Sequence, residues 1–296
     1  MGKGRLNGKL NGKANGVHKP HAKPRKGYEP LPEKISLLVN VFTYSKQIGA
    51  DVFVYTHAAH MLPKTNPRVS EVAVSYTSGY PTDRMRNAVV KEAKQNGHHF
   101  VLMLDDDMHP DLGLSSTLHR DEEAVPFLPT ALDFALKHDG PCCIGAPYTA
   151  APPTQEVVVM KHRQRFPDMA DGCGGYLDKY TRDEAAGMKG IQRVMALPTG
   201  CMLIDLRVLD ILEPPWFSYE FKDPPYNTQL ASTEDVVFSR NCDWMGIPQY
   251  CHWSAWAGHV KSWTTCKPAL SPVNEVPKQI YRAIFEKGWK PPVPVA

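Results

Sequence analysis

Phe100-Val-Leu-Met-Leu-Asp-Asp-Asp-Met108 joins five consecutive apolar residues to three consecutive carboxylates. An uninterrupted apolar run of that length has the size of a buried strand. Three adjacent aspartates repel one another unless a cation or several donors compensate. In open α/β sheets ligands sit outside the carboxyl ends of strands, so this acidic triplet lies where a site is expected.

Outward from this stretch the pattern alternates. Residues 35–42 form an apolar run of strand length followed by Thr43-Tyr44-Ser45; residues 50–61 have helical character and residues 69–75 read as a short strand. Residues 83–96 read as an amphipathic helix beginning after Pro81. Strand, helix, strand, helix, strand predicts an α/β fold, a Rossmann-like three-layer sandwich with a mostly parallel central sheet. Beyond the triplet the spacing predicts a helix near residues 130–137, a strand near 142–146, order over 194–197, a strand at 201–205 and a short helix at 206–212. The Gly- and charge-rich residues 161–190 are read as too polar for core and suited to a lid. The domain reading is a disordered basic tail over residues 1–33 and a single domain over 34–296.

Alternate members of the triplet, Asp105 and Asp107, project toward one ligand if the backbone stays extended. Oxygen ligands favour Mg²⁺ or Mn²⁺, which also bridge diphosphate oxygens; a solvated acidic turn is the plain alternative. Downstream, Thr233 is placed to cap a helix with Glu234 and Asp235 in its first turn and Phe238, Cys242 and Met245 on its core face. That leaves Asp235 at the helix mouth as a candidate general base, or as a capping residue only. Gly258-His259 follows the aromatic Trp253-Ser-Ala-Trp256, and a histidine beside a glycine can approach a cation closely.

Taken in order, these residues carry a resemblance. FVLMLDDDM (100–108) looks like the strand and Asp-x-Asp motif of GT-A fold glycosyltransferases, and Arg84-Met-Arg86-Asn87-Ala88 is similar to the Arg-Asn helix start of small members. LPTGCMLID (197–205), Pro215-Trp216-Phe217, TEDVVFSRNCDWMGIP (233–248) and Gly258-His259 recur in the family's order, closest to the family 2-like inverting branch. The resemblance implies that the domain over 34–296 is catalytic, with a nucleotide-binding half (34–110) and an acceptor half (111–296). It implies Asp107 as a metal ligand, Asp105 at the ribose or the metal, and His259 as a third ligand. Asp235 would be the catalytic base and Glu234 an aid to acceptor placement. Thr43 and Tyr44 would meet the nucleobase, Arg86 the diphosphate, and Asp106 can replace either neighbour because the triplet leaves the register open. The implied cofactors are Mn²⁺ or Mg²⁺ and a nucleotide-sugar donor, foremost a UDP-sugar. The activity would be a hexosyltransferase-like transfer to an acceptor glycan, small molecule or modified DNA base. The first strand ends in Val-Phe-Thr-Tyr where the family has Pro-Thr-Tyr, and the Gln-x-x-Arg-Trp sequence of processive synthases is missing, so addition of single sugars is expected. A sugar nucleotidyltransferase on a related fold would carry a Gly-rich basic loop near its amino end; none follows Phe42.

Composition bounds the rest. Residues 1–28 hold eight Lys or Arg and no acid, so the formal net charge of +3 becomes −5 once those eight are set aside. Such a segment cannot bury enough apolar surface to order itself. It suits an anionic partner, nucleic acid included, or acts only as a solubilising extension. Nucleic-acid binding, or glycosylation of a DNA base, is therefore the alternative to sugar transfer onto a glycan or small molecule. Seven cysteines without framework spacing fit free thiols in a reducing compartment, and no apolar run reaches the ~20 residues of a membrane span. The expected location is cytoplasmic, in a cell or a virus-infected host.

Overall fold

The computed structural model describes residues 28–44, 47–79, 81–115, 121–150, 156–162, 177–222, 226–260 and 264–265. Most of the expected tail, residues 1–27, lies outside the described residues, as do residues 163–176 of the expected lid.

The first half of the chain alternates as its hydrophobic pattern requires. β1 (Ile35–Thr43) is followed by α1 (Ala50–Ala59), α2 (Leu62–Thr65), β2 (Val69–Ser78), α3 (Thr82–Gln95) and β3 (Phe100–Asp105). Eight of the nine β1 residues are buried, which is why the run carries almost no polar alternation. β2 extends three residues past the apolar pattern because Tyr76, Thr77 and Ser78 pair with Val41, Phe42 and Thr43. α3 begins after Pro81, buries Met85, Arg86, Val89, Val90 and Ala93 along one stripe, and ends before Gly97, whose φ of 75° is the left-handed turn that glycine adopts without strain.

The rest of the chain adds β4 (Met108–His109), α4 (Leu112–Ser115), α5 (Phe127–Lys137) and β5 (Cys143–Gly145), then the antiparallel pair β6 (Met160–His162) and β7 (Leu177–Lys179). Next come α6 (Arg182–Gly187), β8 (Ile191–Val194), β9 (Cys201–Asp205), a 3-10 turn (Leu206–Asp210), β10 (Glu220–Phe221) and β11 (Leu230–Ser232). α7 (Glu234–Trp244), β12 (Gln249–His252), β13 (Gly258–Val260) and β14 (Thr264–Thr265) complete the described elements.

Seven strands form the central sheet in the order β2-β1-β3-β9-β5-β12-β8. Successive side chains alternate between its faces. Leu38 and Phe42 of β1 and Val101 and Met103 of β3 join the layer containing α3 and α7. Leu37, Val39 and Val41 of β1, with Phe100, Leu102 and Leu104 of β3, join the layer containing α1 and α5. This is the expected three-layer α/β sandwich. Each fully buried large side chain in these layers contributes roughly 1.5–3 kcal/mol from area removal alone.

The expectation of a mostly parallel sheet needs correction. β1 pairs in parallel with β2 and β3, and β5 with β12, but β9 runs antiparallel to both β3 and β5, and β8 antiparallel to β12. The sheet is mixed. β9 returns through the centre next to β3, and its apolar CMLID pattern is equally compatible with either direction, since both faces are buried. The lid reading also changes within the described residues: Leu177, Ala185 and Ala186 are buried, and α6 opens with a capping box between Thr181 and Glu184. Among the described residues no helix is long and apolar enough to cross a membrane.

Candidate active site

β1 lies between β2 and β3: α1 and α2 lead from β1 to β2 on one face of the sheet, and α3 leads from β2 past β1 to β3 on the other. The connections leaving β1 and β3 thus part at the carboxyl ends of these two paired strands, the place where open α/β sheets bind ligands. Phe42 and Asp105 are neighbours in the sheet, and Asp106 N–H donates to the Phe42 carbonyl at 3.0 Å, so the acidic triplet turns directly across the end of β1. On its other side Asp105 N–H donates to the Gly200 carbonyl at 2.9 Å, which brings the Pro198-Thr199-Gly200 turn against the same strand end.

Asp105 and Asp107 then separate. The Asp105 carboxylate accepts from Arg86 Nη2 at 3.2 and 3.4 Å, and Arg86 Nε lies 3.5 Å from Glu234 Oε1. Arg86 reaches this position from the buried stripe of α3, its guanidinium 5.4 Å from the Phe42 ring centroid. Glu234, on the first turn of α7, is itself buried. One guanidinium thus serves several carboxylates. Burial pushes the Asp105 carboxyl above its usual range; Arg86 pulls it back, and Asp107, Asp106 and Asp235 push it further. Glu234 is likewise raised, by burial first, with Arg86 opposing and Asp235 adding. Burial disfavours the Arg86 cation, yet Asp105, Glu234 and Asp235 outweigh it and hold it charged. The cluster has a deficit of positive charge.

Asp107 belongs to a different substructure. β4 pairs antiparallel with β13, matching Met108 to His259, and Val260 N–H donates to the Asp107 carbonyl at 2.6 Å. This short ribbon places His259 Nε2 3.4 Å from Asp107 Oδ2. His259 Nδ1 meets the Thr149 carbonyl at 2.9 Å, and since a carbonyl only accepts, that nitrogen carries the proton. With the Nδ1 proton committed to Thr149, it is Nε2 that faces the Asp107 carboxylate. A proton on Nε2 or a bound cation would satisfy this pair, and a backbone carbonyl orienting the far ring nitrogen is the usual support of a metal-ligating histidine. Their separation is close to the ~3 Å edge of an octahedron with bonds of about 2.1 Å. Among the described residues no three His, Cys, Asp or Glu side chains form a group able to hold a metal, because Asp105 turns to Arg86. A pair such as Asp107 and His259 could hold Mg²⁺ or Mn²⁺ only with the rest of the shell supplied by water or phosphate oxygens.

Asp235, the second residue of α7, receives the Val236 N–H at 2.8 Å and the Thr233 hydroxyl, both on Oδ1. Thr233 is the N-cap by position, but its hydroxyl binds this carboxylate instead of a helix N–H. Tyr44 is half exposed and shares a 2.8 Å hydroxyl contact with Thr82; Thr43 is buried, its hydroxyl donating to the Gln47 carbonyl at 3.0 Å. Of the two residues expected at a nucleobase, Tyr44 is the more exposed.

Sequence reasoning passed over several neighbours. Tyr148 is buried with its ring edge-on to His259 at 5.5 Å, and its hydroxyl accepts from Gly200 N–H at 3.3 Å. Burial, then Asp105 and Asp235, keep that phenol protonated and able to donate. Its signal was available: Tyr148 follows β5, another parallel strand, at the carboxyl end. Tyr219 also enters the electrostatic field of Glu234 and bonds Thr82. Asn87 has a structural task. Its amide donates to the Phe217 carbonyl at 2.6 Å, and its oxygen accepts Trp216 N–H at 2.9 Å and Phe217 N–H at 3.2 Å, clamping the Pro215-Trp216-Phe217 segment to α3. Trp256 is buried against Trp253, so packing accounts for it.

No protein-family model matches the chain, and no curated protein matches it in sequence. Among solved structures it is similar to A197 from STIV, with 12% identity and a TM-score of 0.46 over 77% of this chain and 86% of that one. It is also similar to apo UDP-glucose pyrophosphorylase, at 8% identity and a TM-score of 0.36 over 76% of each chain. For UDP-glucose pyrophosphorylase complexed with UDP-glucose the values are 8% and 0.37, over 84% of this chain and 99% of that one. These likenesses concern the path of the chain and assign no residue.

Proposed function

We propose that the chain is a metal-dependent glycosyltransferase of GT-A type that moves a sugar from a nucleotide-sugar donor to an acceptor hydroxyl with inversion. The observation that carries this reading is the meeting, at the carboxyl ends of β1 and β3, of the Asp107–His259 pair with the Arg86-centred carboxylates and Asp235. Mn²⁺ or Mg²⁺ held by Asp107 and His259 would supply neutralising charge for the departing nucleoside diphosphate.

The chain's own residues take the remaining tasks. Tyr44 offers a ring face to the nucleobase. Arg86 keeps Asp105 and Glu234 ordered, while its Nη1, buried and without a hydrogen-bond partner, is a donor available to a phosphate oxygen. Tyr148 donates to a sugar or phosphate oxygen. Asp235 is restrained through Oδ1, which leaves Oδ2 to take the acceptor proton. The acceptor oxygen attacks the anomeric carbon on the side opposite the diphosphate, and the diphosphate leaves with the bonding pair.

Asp235→Asn preserves the Oδ1 acceptor and removes the base. The variant is expected to keep Mn²⁺-dependent thermal stabilisation by nucleotide sugars while its transfer rate falls by about 10²–10⁴. An unimpaired rate would show that another group takes the proton.

A further inference from the structure

A cavity of about 340 Å³ opens beside the first turn of α7, between the β6–β7 pair and β11. It is at the small end of the roughly 300–1,000 Å³ range of ligand sites. Met160, Leu177, Leu230 and Val236 give it an aliphatic wall. Its link to the proposed base is a direct contact: Thr233 lines it, and the Thr233 hydroxyl binds the Asp235 carboxylate.

The polar members of the lining are mostly committed. Lys179 pairs with Glu156, and the Thr233 hydroxyl with Asp235. Ser232 is buried, and its hydroxyl has no hydrogen-bond partner. Among the described residues no aromatic ring lines the wall. A sugar ring would surrender the hydration of several hydroxyls here and recover few bonds, with no ring face to stack on. An apolar body carrying one hydroxyl loses little and gains the aliphatic wall.

We infer that this cavity is the acceptor subsite and that it takes a small alcohol with an aliphatic or aromatic body, in preference to a free sugar. The inference rests on the transferase reading above. With the body against Met160, Leu177, Leu230 and Val236, the hydroxyl points along the α7 mouth to Asp235. The acceptor O–H proton passes to Asp235 Oδ2, the oxygen bonds to the anomeric carbon, and the carbon–oxygen bond to the diphosphate breaks with its electron pair leaving on the nucleoside diphosphate.

The test supplies the full chain with Mn²⁺ and a panel of UDP- and GDP-hexoses, and compares 1-octanol and benzyl alcohol with glucose as acceptors. Donor hydrolysis by water is the internal reference. The expected result is at least a tenfold higher kcat/KM for the alcohols than for glucose. Ala231→Phe, which fills the cavity, should lower the ratio of alcohol transfer to hydrolysis at least tenfold and abolish saturation-transfer NMR contact between 1-octanol and the protein. Glucose equal to the alcohols, or an unchanged ratio in a variant that melts like the parent, would overturn the subsite while leaving the transferase reading in place. If Ala231→Phe fails to fold, Met160→Ala decides: a wider cavity should shift preference to longer alcohols, and an unchanged chain-length profile refutes the inference. Absence of both hydrolysis and transfer with every donor would defeat the transferase reading and this inference together.

Discussion

Asp105 and Asp107 stand two positions apart in one triplet, yet the fold gives them different partners. Asp105 ends β3, faces Arg86 and belongs to a buried charge cluster shared with Glu234. Asp107 begins the β4–β13 ribbon and meets His259 across it. The first arrangement gathers several carboxylates around one guanidinium; the second sets a single carboxylate against an imidazole nitrogen. Identical side chains thus divide between a buried charge cluster and a short two-stranded ribbon. The division is made by a change of strand partner within two residues.

Breaking the buried side of this comparison should have the largest effect on the fold. Arg86→Met leaves Asp105 and Glu234 buried without their cation, and is expected to destabilise by about 3–5 kcal/mol in urea or thermal unfolding. Stability within 1 kcal/mol of the parent, on the same scale, would show that the cluster is already relaxed by solvent. A smaller loss is expected at the turn that supports both carboxylates. A Cβ at Gly200 would lie 2.7 Å from the Tyr148 hydroxyl and 3.1 Å from Met108 Cε, so Gly200→Ala should cost about 1–3 kcal/mol and displace Tyr148 from His259. An unchanged melting temperature would mean that Tyr148 moves freely and does not brace the site.

A third carboxylate, Asp111, sharpens the contrast through pH. Its side chain accepts the Phe127 N–H at 2.7 Å at the start of α5, and burial pushes its pKa up to about 6, against that bond. Because the folded value lies above the unfolded one, the native state binds the extra proton. This contribution to stability is fully present below about pH 4 and is lost as pH rises through about 6. It amounts to at most about 3 kcal/mol. Asp111→Asn keeps the acceptor, tolerates the φ of 60° at this position and should flatten the stability profile between pH 4 and 6. An identical slope in that variant would assign the dependence to other groups.

The legible parts of the chain were those whose surroundings repeat the local pattern. β1, α3 and β3 are set by apolar runs and by Pro81, and the structure places them within one residue of the expected ends, apart from the longer tail of β2. α7 announces itself through Thr233, Glu234 and Asp235. Strand direction was not legible: β9 is buried on both faces, so CMLID reads alike in either orientation, and only its pairing with β3 and β5 distinguishes them. The two-residue β4 is too short to carry a period, so nothing local links Met108 to His259 across the ribbon. For the same reason the sequence could nominate Asp105, Asp107 and His259 as metal ligands but could not separate Asp105 from the other two. Arg86 was foreseen as a diphosphate contact; its grip on Asp105 and Glu234 depends on α3 and α7 sharing one face of the sheet.

The most direct test is calorimetric titration of Mn²⁺, with and without UDP, into the parent chain, Asp107→Asn and Asp105→Asn. The division of labour described here predicts one Mn²⁺ site strengthened by UDP, weakened about 100-fold or more by Asp107→Asn and retained in Asp105→Asn, which instead shows its loss in unfolding. Equal Mn²⁺ affinity in the parent and Asp107→Asn, or no Mn²⁺ binding by the parent in the presence of UDP, would contradict it.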